Sequence, residues 1–260
     1  MSAAAATATK GLLTPGELDG FRRDGFLVQR RLLAGRIGEI SRWVDELAAL
    51  PEAAGRHWVY YEDSVTDPGQ RVLSRIEYFT RFHDRLSALM HGPELRGRAG
   101  ELLGEPALLF KEKVNFKMPG GQGFAPHQDV QAGWDDYGAL HISAMLTVDR
   151  ATEENGCLEL AAGHHKRGLI GAKWKPLEGA ELDGIEFVKV PTEPGDVVFF
   201  DSFTPHRSAP NLSPHRRRIL YITYGRASDG DQRERYFADK HKSFPPDIER
   251  DPDRTYEYKV

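Results

Sequence analysis

The hydrophobic pattern of this 260-residue sequence changes its period near residue 105, and this change constrains the fold more than any other feature. Before that point, apolar residues recur at helical spacing. After it, they alternate with polar residues in short runs that Gly, Pro and Asn separate. Such runs are typical of an all-β sandwich or barrel, and they are not interleaved with helices as a parallel sheet would require. We therefore predict a mainly β fold with flanking helices.

We interpret the chain as a single domain with four sections. They are a flexible tail over 1–12, a mostly helical outer part over 13–104, a β core over 105–226 and a C-terminal extension over 227–260. The run Thr14-Pro15-Gly16-Glu17 has the pattern of a helix N-cap. The elements predicted after it are a strand at Phe26-Leu27-Val28, a helix between Ile37 and Leu50, a helix from Glu94 to Leu103, and core strands at Ala107–Lys117, Ala139–Val148, Cys157–Ala161, Ile185–Val190, Asp196–Phe200 and Arg218–Tyr224.

The composition argues against several classes of protein. Lys and Arg number 35 against 39 Asp and Glu, a formal net charge of −4, whereas domains held to nucleic acid by charge have a basic excess. No apolar run has the length of a membrane span, and the first ten residues lack the pattern of a signal peptide. The single cysteine, Cys157, cannot form an internal disulfide. We therefore expect a cytoplasmic protein without nucleic acid or membrane partners.

Two segments of the predicted core carry residues that bind metals. The first contains His127-Gln128-Asp129, and side chains at i and i+2 of an extended backbone point to the same side. In the second, His206 follows an apolar strand and a turn. Two imidazoles and one carboxylate form the facial triad that binds Fe(II) and leaves positions open. Taken singly, these residues are also typical of a turn histidine beside a solvated carboxylate, or of a buried histidine bonded to a backbone carbonyl.

A candidate anion-binding group follows His206 in the sequence. Arg217, within Arg216–Arg218, stands at the mouth of the last predicted strand, where an inward guanidinium can hold a carboxylate through two parallel hydrogen bonds. Ser208 can donate another hydrogen bond to the same carboxylate. The alternative for the three arginines is a solvated face.

The predicted strand over 111–117 has a polar face close to this group. Lys111, Lys113, Asn115 and Lys117 share that face, and Phe110, Val114 and Phe116 lie on the other. A cationic face beside the histidine and aspartate can line a pocket for anionic ligands. The alternative is a half-exposed strand whose lysines lie in water.

In this order, the motifs resemble the phytanoyl-CoA dioxygenase family of Fe(II)- and 2-oxoglutarate-dependent oxygenases. The resemblance extends from Glu17–Phe26 to the strand that ends at Tyr224. Its most specific parts are Asn115-Phe116-Lys117 with His127-Gln128-Asp129, Asn155-Gly156-Cys157-Leu158 with Gly163-His164-His165-Lys166, and Gly195–Asp201 leading to His206–Ser213 and Arg217. One departure is Met145, since some members of the family have Trp there.

The resemblance implies an enzyme with a double-stranded β-helix, or jelly-roll, core. It places Fe(II) on His127, Asp129 and His206, and it places the distal carboxylate of the cosubstrate 2-oxoglutarate on Arg217 and Ser208. The implied reaction uses O2 to oxidise a C–H bond of a small polar metabolite, such as an alkylphosphonate or an intermediate of secondary metabolism, with release of succinate and CO2. Because Asp129 fills the carboxylate position, no ligand position remains for a halide, and we do not expect a halogenase.

The other expected site residues come from the polar strand and from the segment after it. We expect Asn115 and Lys113 to contact the cosubstrate, and Gln128, Trp134 and Lys111 to contact the substrate. Loop residues such as Trp134 are also typical of packed edges.

Two other classes fit part of the pattern. A cupin-type metal-binding jelly roll, acting as an isomerase or a sensor, would share the triad and need no group that holds a carboxylate. A noncatalytic β domain would use Arg216–Arg218 to bind a partner. Replacing Arg217 by Leu separates these classes, because an oxygenase would lose 2-oxoglutarate binding and a cupin would keep its metal chemistry.

Overall fold

The computed structural model describes residues 11–256. The first helix, α1 (Pro15–Asp24), begins where the sequence predicts, since Thr14 Oγ1 accepts from the backbone N–H of Glu17 and the Glu17 carboxylate accepts from that of Thr14 at 2.7 Å. Gly25 ends the helix at φ +83°, where a Cβ would lie 2.5 Å from His165 Nδ1. This turn therefore requires glycine. The predicted flexible tail lies, up to residue 10, outside the described residues.

The described chain forms two antiparallel sheets. The strands of the larger sheet are β1 (Phe26–Gln29), β2 (Trp58–Asp63), β3 (Arg71–Glu77), β4 (Ala107–Lys117), β6 (His141–Thr147), β9 (Val197–Asp201) and β11 (Arg217–Arg226). Those of the smaller sheet are β5 (Phe124–His127), β7 (Leu158–Leu160), β8 (Val188–Val190) and β10 (His206–Ser208). The strand orders are β1-β9-β6-β11-β4-β3-β2 and β5-β10-β7-β8.

Helices cover one face of the larger sheet, and the smaller sheet covers the other. α2 (Ile37–Ala48), α3 (Asp84–His91) and α4 (Arg98–Leu103) bury their apolar residues with those of the sheet in the main core. A second cluster, which includes Met145, Leu158 and Phe200, joins the inner faces of the two sheets. Two facing antiparallel sheets with helices outside form the jelly roll that the sequence predicts.

The last helix, α5 (Arg233–Ser243), packs against one end of the sheets. Its Tyr236 and Phe237 join an aromatic cluster that also contains Trp58, Phe110 and Trp134. α5 thus contributes side chains to the region next to the inner face of β4. None of the helices within the described residues has the length and hydrophobicity needed to cross a membrane.

Several of these elements were not predicted, and each omission has a physical reason. β3 buries the charged pair Arg75 and Glu77, and β2 buries three consecutive residues from Trp58 to Tyr60, so neither strand shows a simple apolar–polar alternation. β10 has three residues, which is too short for a period to show. α5 is mostly charged and buries Arg233 along with its two aromatic residues. The helix predicted from Glu94 begins instead as a π-helical turn before α4.

Candidate active site

Strand pairing in the smaller sheet brings two histidines together. His127 ends β5, His206 begins β10, and the two residues are direct partners across these strands, with ring centroids 4.2 Å apart. Asp129 lies just after β5, and its Oδ1 is 3.9 Å from His206 Nε2. One ligand atom from each of the three lies within 4.8 Å of the others. Within the described residues, this is the group of His, Cys, Asp or Glu side chains that could hold a metal ion.

Hydrogen bonds and burial set the protonation of these three side chains. Nδ1 of His127 lies 2.7 Å from the Ala125 carbonyl oxygen, and Nδ1 of His206 lies 3.0 Å from that of Thr204, which assigns the ring proton to Nδ1 and leaves Nε2 free to bind a metal. Burial lowers the pKa of His127 to about 3 and also lowers that of His206. Burial alone would raise the pKa of Asp129, but the electrostatic influence of neighbouring groups, His206 first and Lys113 next, outweighs burial and lowers the pKa. Neutral imidazoles and a carboxylate are the metal-binding forms.

Two buried basic side chains lie on neighbouring strands, and one of them, Lys117, contacts Ser208. Arg217 of β11 and Lys117 of β4 are direct partners, and only 1% and 2% of their surfaces are exposed. Arg217 Nη1 donates to the Gly156 carbonyl oxygen at 2.6 Å, and its Nε is buried without an acceptor in the part of the chain described. Lys117 Nζ lies 2.8 Å from Ser208 Oγ. Burial lowers the pKa of Arg217, and burial together with the Arg217 charge lowers that of Lys117 to about 6.

No carboxylate between residues 11 and 256 forms an ion pair with Arg217 or Lys117. A buried charge without a counter-charge is costly, because the protein interior solvates it poorly. The arrangement therefore fits an anionic ligand whose oxygens would accept from Arg217 Nε and from the groups beside it.

A cavity surrounds the metal-binding side chains. Residues from several strands and from the loop after Asp129 line it, among them Lys111, Lys113, Asn115, Trp134, Ser143, Arg207, Ser208 and Tyr221. Two of its polar atoms, Asn115 Oδ1 and Trp134 Nε1, are buried without a hydrogen-bond partner in residues 11–256. The free volume is about 20 Å³. We call this the inner cavity.

A second cavity of about 360 Å³ adjoins the inner one, since Phe124 and His127 line both. We call it the outer cavity. Its other walls come from Tyr60 of β2, Arg75 of β3, and the segment after α5, which contributes Phe244, Arg250 and Tyr256. The Arg75 guanidinium lies 4.4 Å from the Tyr60 ring centroid, and that of Arg250 lies 4.5 Å from the Phe244 centroid. These residues were not predicted, because the sequence pattern indicated neither β2 nor β3 and no site residue was expected in the C-terminal extension.

Gln128 does not line the inner cavity, which corrects its expected role in contacting substrate. Its amide N–H groups donate to the carbonyl oxygens of Gly168, at 2.8 Å, and Phe203, at 2.6 Å. Its amide oxygen accepts from the backbone N–H of Ile170 at 2.6 Å. Gln128 is fully buried, and both of its donors are occupied. It therefore fixes two loops against the end of β5.

The expected faces of β4 also need one correction. A register shift opposite Phe110 brings this residue to the same aromatic cluster that Lys111 contacts. The Phe110 ring centroid lies 5.6 Å from that of Trp134, and the Lys111 ammonium lies 5.5 Å from the same ring. Phe110 is thus not on the face opposite Lys111.

The structure also shows the surroundings of the arginine run and of Met145. Arg218 forms ion pairs with Asp149, at 2.7 Å, and Asp45, at 2.9 Å, so this stretch does not form an exposed basic patch. Met145 packs in the cluster between the sheets. The basic surface expected of a noncatalytic binding domain is therefore not formed by these residues.

The jelly roll and the three side chains that could hold a metal ion are typical of non-haem iron oxygenases that use 2-oxoglutarate. Residues 21–219 match the family model of phytanoyl-CoA dioxygenase (PhyH). The chain belongs to the phytanoyl-CoA dioxygenase family, and it is an Fe(II)- and 2-oxoglutarate-dependent dioxygenase that consumes O2. This result confirms the family resemblance and sets aside the isomerase, sensor and noncatalytic alternatives.

Similar proteins agree with this membership. The chain is 41% identical over 223 residues to a 2-aminoethylphosphonate dioxygenase from Uncultured bacterium HF130_AEPn_1, which covers 84% of this chain and 83% of that protein. It is 38% identical over 234 residues to a methylphosphonate hydroxylase from Gimesia maris, with 89% and 88% covered. Among solved structures, EctD from S. alaskensis with 2-oxoglutarate and 5-hydroxyectoine superposes with a TM-score of 0.71 at 22% identity, over 85% of this chain and 79% of that one.

Proposed function

We propose that His127, Asp129 and His206 hold the iron of this dioxygenase. Their Nε2 and carboxylate atoms converge, and three protein ligands leave positions open for cosubstrate and O2. Ser143 Oγ donates to Asp129 Oδ2 at 3.0 Å, which orients the carboxylate so that Oδ1 is the atom near His206. When bound, iron would activate O2, which is the oxidant, and 2-oxoglutarate would supply two electrons as it is converted to succinate and CO2.

The distal carboxylate of 2-oxoglutarate is assigned to Arg217 and Ser208. The support is the buried Arg217 Nε, which has no acceptor among residues 11–256, and the lack of a carboxylate partner for Arg217 in the same range. Asn115 and Lys113 lie on the same face of β4 as Lys117 and line the inner cavity, so we assign them to the remainder of the cosubstrate. Lys113 is near enough to Asp129 to lower its pKa, and this places Lys113 toward the metal.

We further propose that the substrate is a small alkylphosphonate. The inner cavity is lined by Lys111 and Lys113, and by Arg207, whose guanidinium is paired with Glu159 at 2.8 Å. The carboxylate that lines it is Asp129, which we assign to the iron. This cationic excess suits a phosphonate dianion in addition to the cosubstrate. The two phosphonate-oxidising relatives, at 41% and 38% identity, support the same class of substrate.

The phosphonate group is assigned to the Lys111 end of the inner cavity. Trp134 Nε1 is buried there as a donor without an acceptor in the described chain, and the Lys111 ammonium lies beside the same indole. Lys111 and Lys117 are six residues apart on β4, or about 20 Å along the strand. The two anionic ligands therefore bind at opposite ends of the strand, and the aromatic cluster next to Trp134 excludes water from the substrate end.

The test is a turnover assay with matched phosphonates and carboxylates. We expect methylphosphonate, ethylphosphonate or 2-aminoethylphosphonate to stimulate succinate release, with an equal amount of hydroxylated phosphonate detected by phosphorus NMR. Acetate, propionate and 3-aminopropionate are the matched controls and should not stimulate it. His206→Ala should abolish both signals. Succinate release that phosphonates leave unchanged, or that carboxylates stimulate equally, would contradict the proposed substrate class.

A further inference from the structure

The proposed function does not use Lys117, although it is buried next to the assigned carboxylate site. Lys117 and Arg217 share one acceptor, the Gly156 carbonyl oxygen, at 3.5 Å from Lys117 Nζ and 2.6 Å from Arg217 Nη1. Gly156 has φ +70°, and a Cβ there would lie 2.0 Å from the Ala209 carbonyl oxygen. The backbone that carries this acceptor is therefore held by close packing, and the two basic side chains are held beside each other.

The charged groups around Lys117 favour its neutral form in the ligand-free protein. Arg217 on β11 opposes its charge, while Glu62 on β2 and the Cys157 thiol favour it. The Glu62 carboxylate is already bonded, accepting from Ser74 Oγ at 2.8 Å and from the backbone N–H of Gln122 at 2.9 Å. Burial has the largest effect on the pKa of Lys117 and lowers it, and together with these charges it brings the pKa to about 6. At neutral pH and above, the ligand-free site thus contains one cation, Arg217.

Three oxygen atoms surround Lys117 Nζ, and they suit both protonation states. They are Ala209 O at 2.6 Å, Ser208 Oγ at 2.8 Å and Gly156 O at 3.5 Å. A neutral amine has two N–H donors and one lone pair, which match two carbonyls and a donating hydroxyl. An ammonium has three N–H donors and no lone pair, so it donates to Ser208 Oγ. The hydroxyl hydrogen of Ser208 is then free to rotate toward another acceptor.

We propose that Lys117 takes up a proton when 2-oxoglutarate binds, and that this proton turns the Ser208 hydroxyl toward the distal carboxylate. The proposal rests on the placement of that carboxylate at Arg217 and Ser208. The proton moves from a buffer acid to the Lys117 amine, and the resulting ammonium is stabilised by the incoming negative charge. Lys117 is therefore a positioning residue, because it acts on the cosubstrate through Ser208.

The test is calorimetry of 2-oxoglutarate binding to the Fe(II)-loaded protein without O2, in buffers of different ionisation enthalpy. Near pH 8 the heat should vary with the buffer in proportion to about one proton taken up per ligand. The uptake should diminish as the pH falls toward 6. Where about one proton is taken up, above about pH 7, the Kd of 2-oxoglutarate should increase about tenfold for each unit by which the pH rises, and this dependence should flatten toward pH 6. A wild-type protein that takes up no proton overturns the proposal without any variant.

Variants separate this proposal from the assignment on which it rests. Lys117→Met should abolish the proton uptake and the pH dependence of Kd, whereas Lys189→Met, at an exposed lysine paired with Glu153, should leave both unchanged. Proton uptake that persists in Lys117→Met overturns the role of Lys117. If Arg217→Leu binds 2-oxoglutarate normally, the carboxylate placement itself is wrong. Loss of binding in Arg217→Leu, with no proton uptake in the wild type, rejects the Lys117 proposal alone.

Discussion

Two regions of the larger sheet bury charges in opposite ways. At its β2–β3–β4 side, each buried carboxylate has a cation: Glu77 pairs with Arg75 and Lys240, and Glu112 pairs with Arg233. At the far end of β4, Lys117 and Arg217 have no carboxylate partner among residues 11–256. In the first region every buried charge has its counter-charge in the folded chain, whereas we propose that a bound anionic ligand supplies the counter-charge in the second. A buried charged side chain without a counter-charge, rather than burial itself, therefore distinguishes the proposed binding site.

The largest effect on stability should follow from breaking an ion pair at the β2–β3–β4 side, where the buried charges are paired. Glu112→Leu leaves Arg233 buried without its carboxylate, and it also removes the acceptor of the Phe79 and Thr80 backbone N–H groups. We expect a loss of about 3–5 kcal/mol in the free energy of unfolding, measured by urea denaturation. The matched control is Glu234→Gln, which breaks an exposed ion pair with Arg81 and should cost less than about 1 kcal/mol. Equal losses of unfolding free energy in the two variants would show that the buried pair contributes no more to stability than an exposed one.

The second prediction concerns the far end of β4. Arg217→Leu should weaken 2-oxoglutarate binding about 30-fold or more, because truncating one partner of a buried charge pair costs about 2–5 kcal/mol. The ligand-free variant should be as stable as the wild type within about 1 kcal/mol, because the removed cation had no counter-charge in the described chain. Calorimetry and urea denaturation give the two values. A ligand-free variant as unstable as Glu112→Leu would show that Arg217 is structural.

The third prediction is a pH dependence of stability due to Lys117. The unfolded chain keeps the Lys117 proton up to the ordinary pKa of 10.5, whereas the folded protein loses it above about 6. Between these values the unfolded state binds more protons, so this group makes the ligand-free protein more stable as the pH rises, by up to about 1.4 kcal/mol per pH unit. The difference between wild type and Lys117→Met, measured by denaturation from about pH 6 to about pH 9, isolates the effect. A difference in the free energy of unfolding that does not change with pH would contradict this prediction.

The smallest effect is expected at the substrate end of the inner cavity. Trp134→Phe keeps the aromatic ring and removes the unpartnered Nε1–H. One neutral hydrogen bond is worth about 1 kcal/mol, so KM for the phosphonate should rise about fivefold while the Kd of 2-oxoglutarate stays unchanged. Trp174→Phe, at a half-exposed tryptophan, is the control and should change neither value. A shift in the cosubstrate Kd instead would place Trp134 at the wrong end of β4.

Much of the fold was predictable because local patterns determine it. The Thr14–Glu17 capping box, the turn at Gly25 and the alternation of β4, β6 and β11 each occur within a few consecutive residues. His127 and Asp129 are two positions apart, so their proximity could be predicted as well. The contact of these residues with His206 depends on the pairing of β5 with β10, and there the family resemblance, rather than periodicity, supplied the prediction.

The remaining features depend on contacts between distant parts of the chain. A strand such as β3 appears too polar until its Glu77 is matched with Lys240 of α5. Gln128 lies inside a metal-binding motif, yet its carboxamide is used by backbone groups more than 35 positions away. Lys117 shares a face with Asn115, which was a usable signal, but its lack of an ion pair with a carboxylate of the described residues is visible only in three dimensions. Charge pairing is therefore the part of this site that sequence patterns describe least well.

The anchoring of α5 has a consequence for how the protein is made. Its two buried ion pairs join residues 121 and 163 positions apart in the chain. The strands β2, β3 and β4 are therefore synthesised well before the helix that completes their charge pairs. Until α5 docks, Glu77 and Glu112 lack the lysine and arginine that neutralise them, and the aromatic cluster lacks Tyr236 and Phe237. Long-range closure of this kind is slow and leaves apolar surface exposed in the meantime. We therefore expect the docking of α5 to be a late step of folding, because it completes the charge pairs of the β2–β3–β4 side.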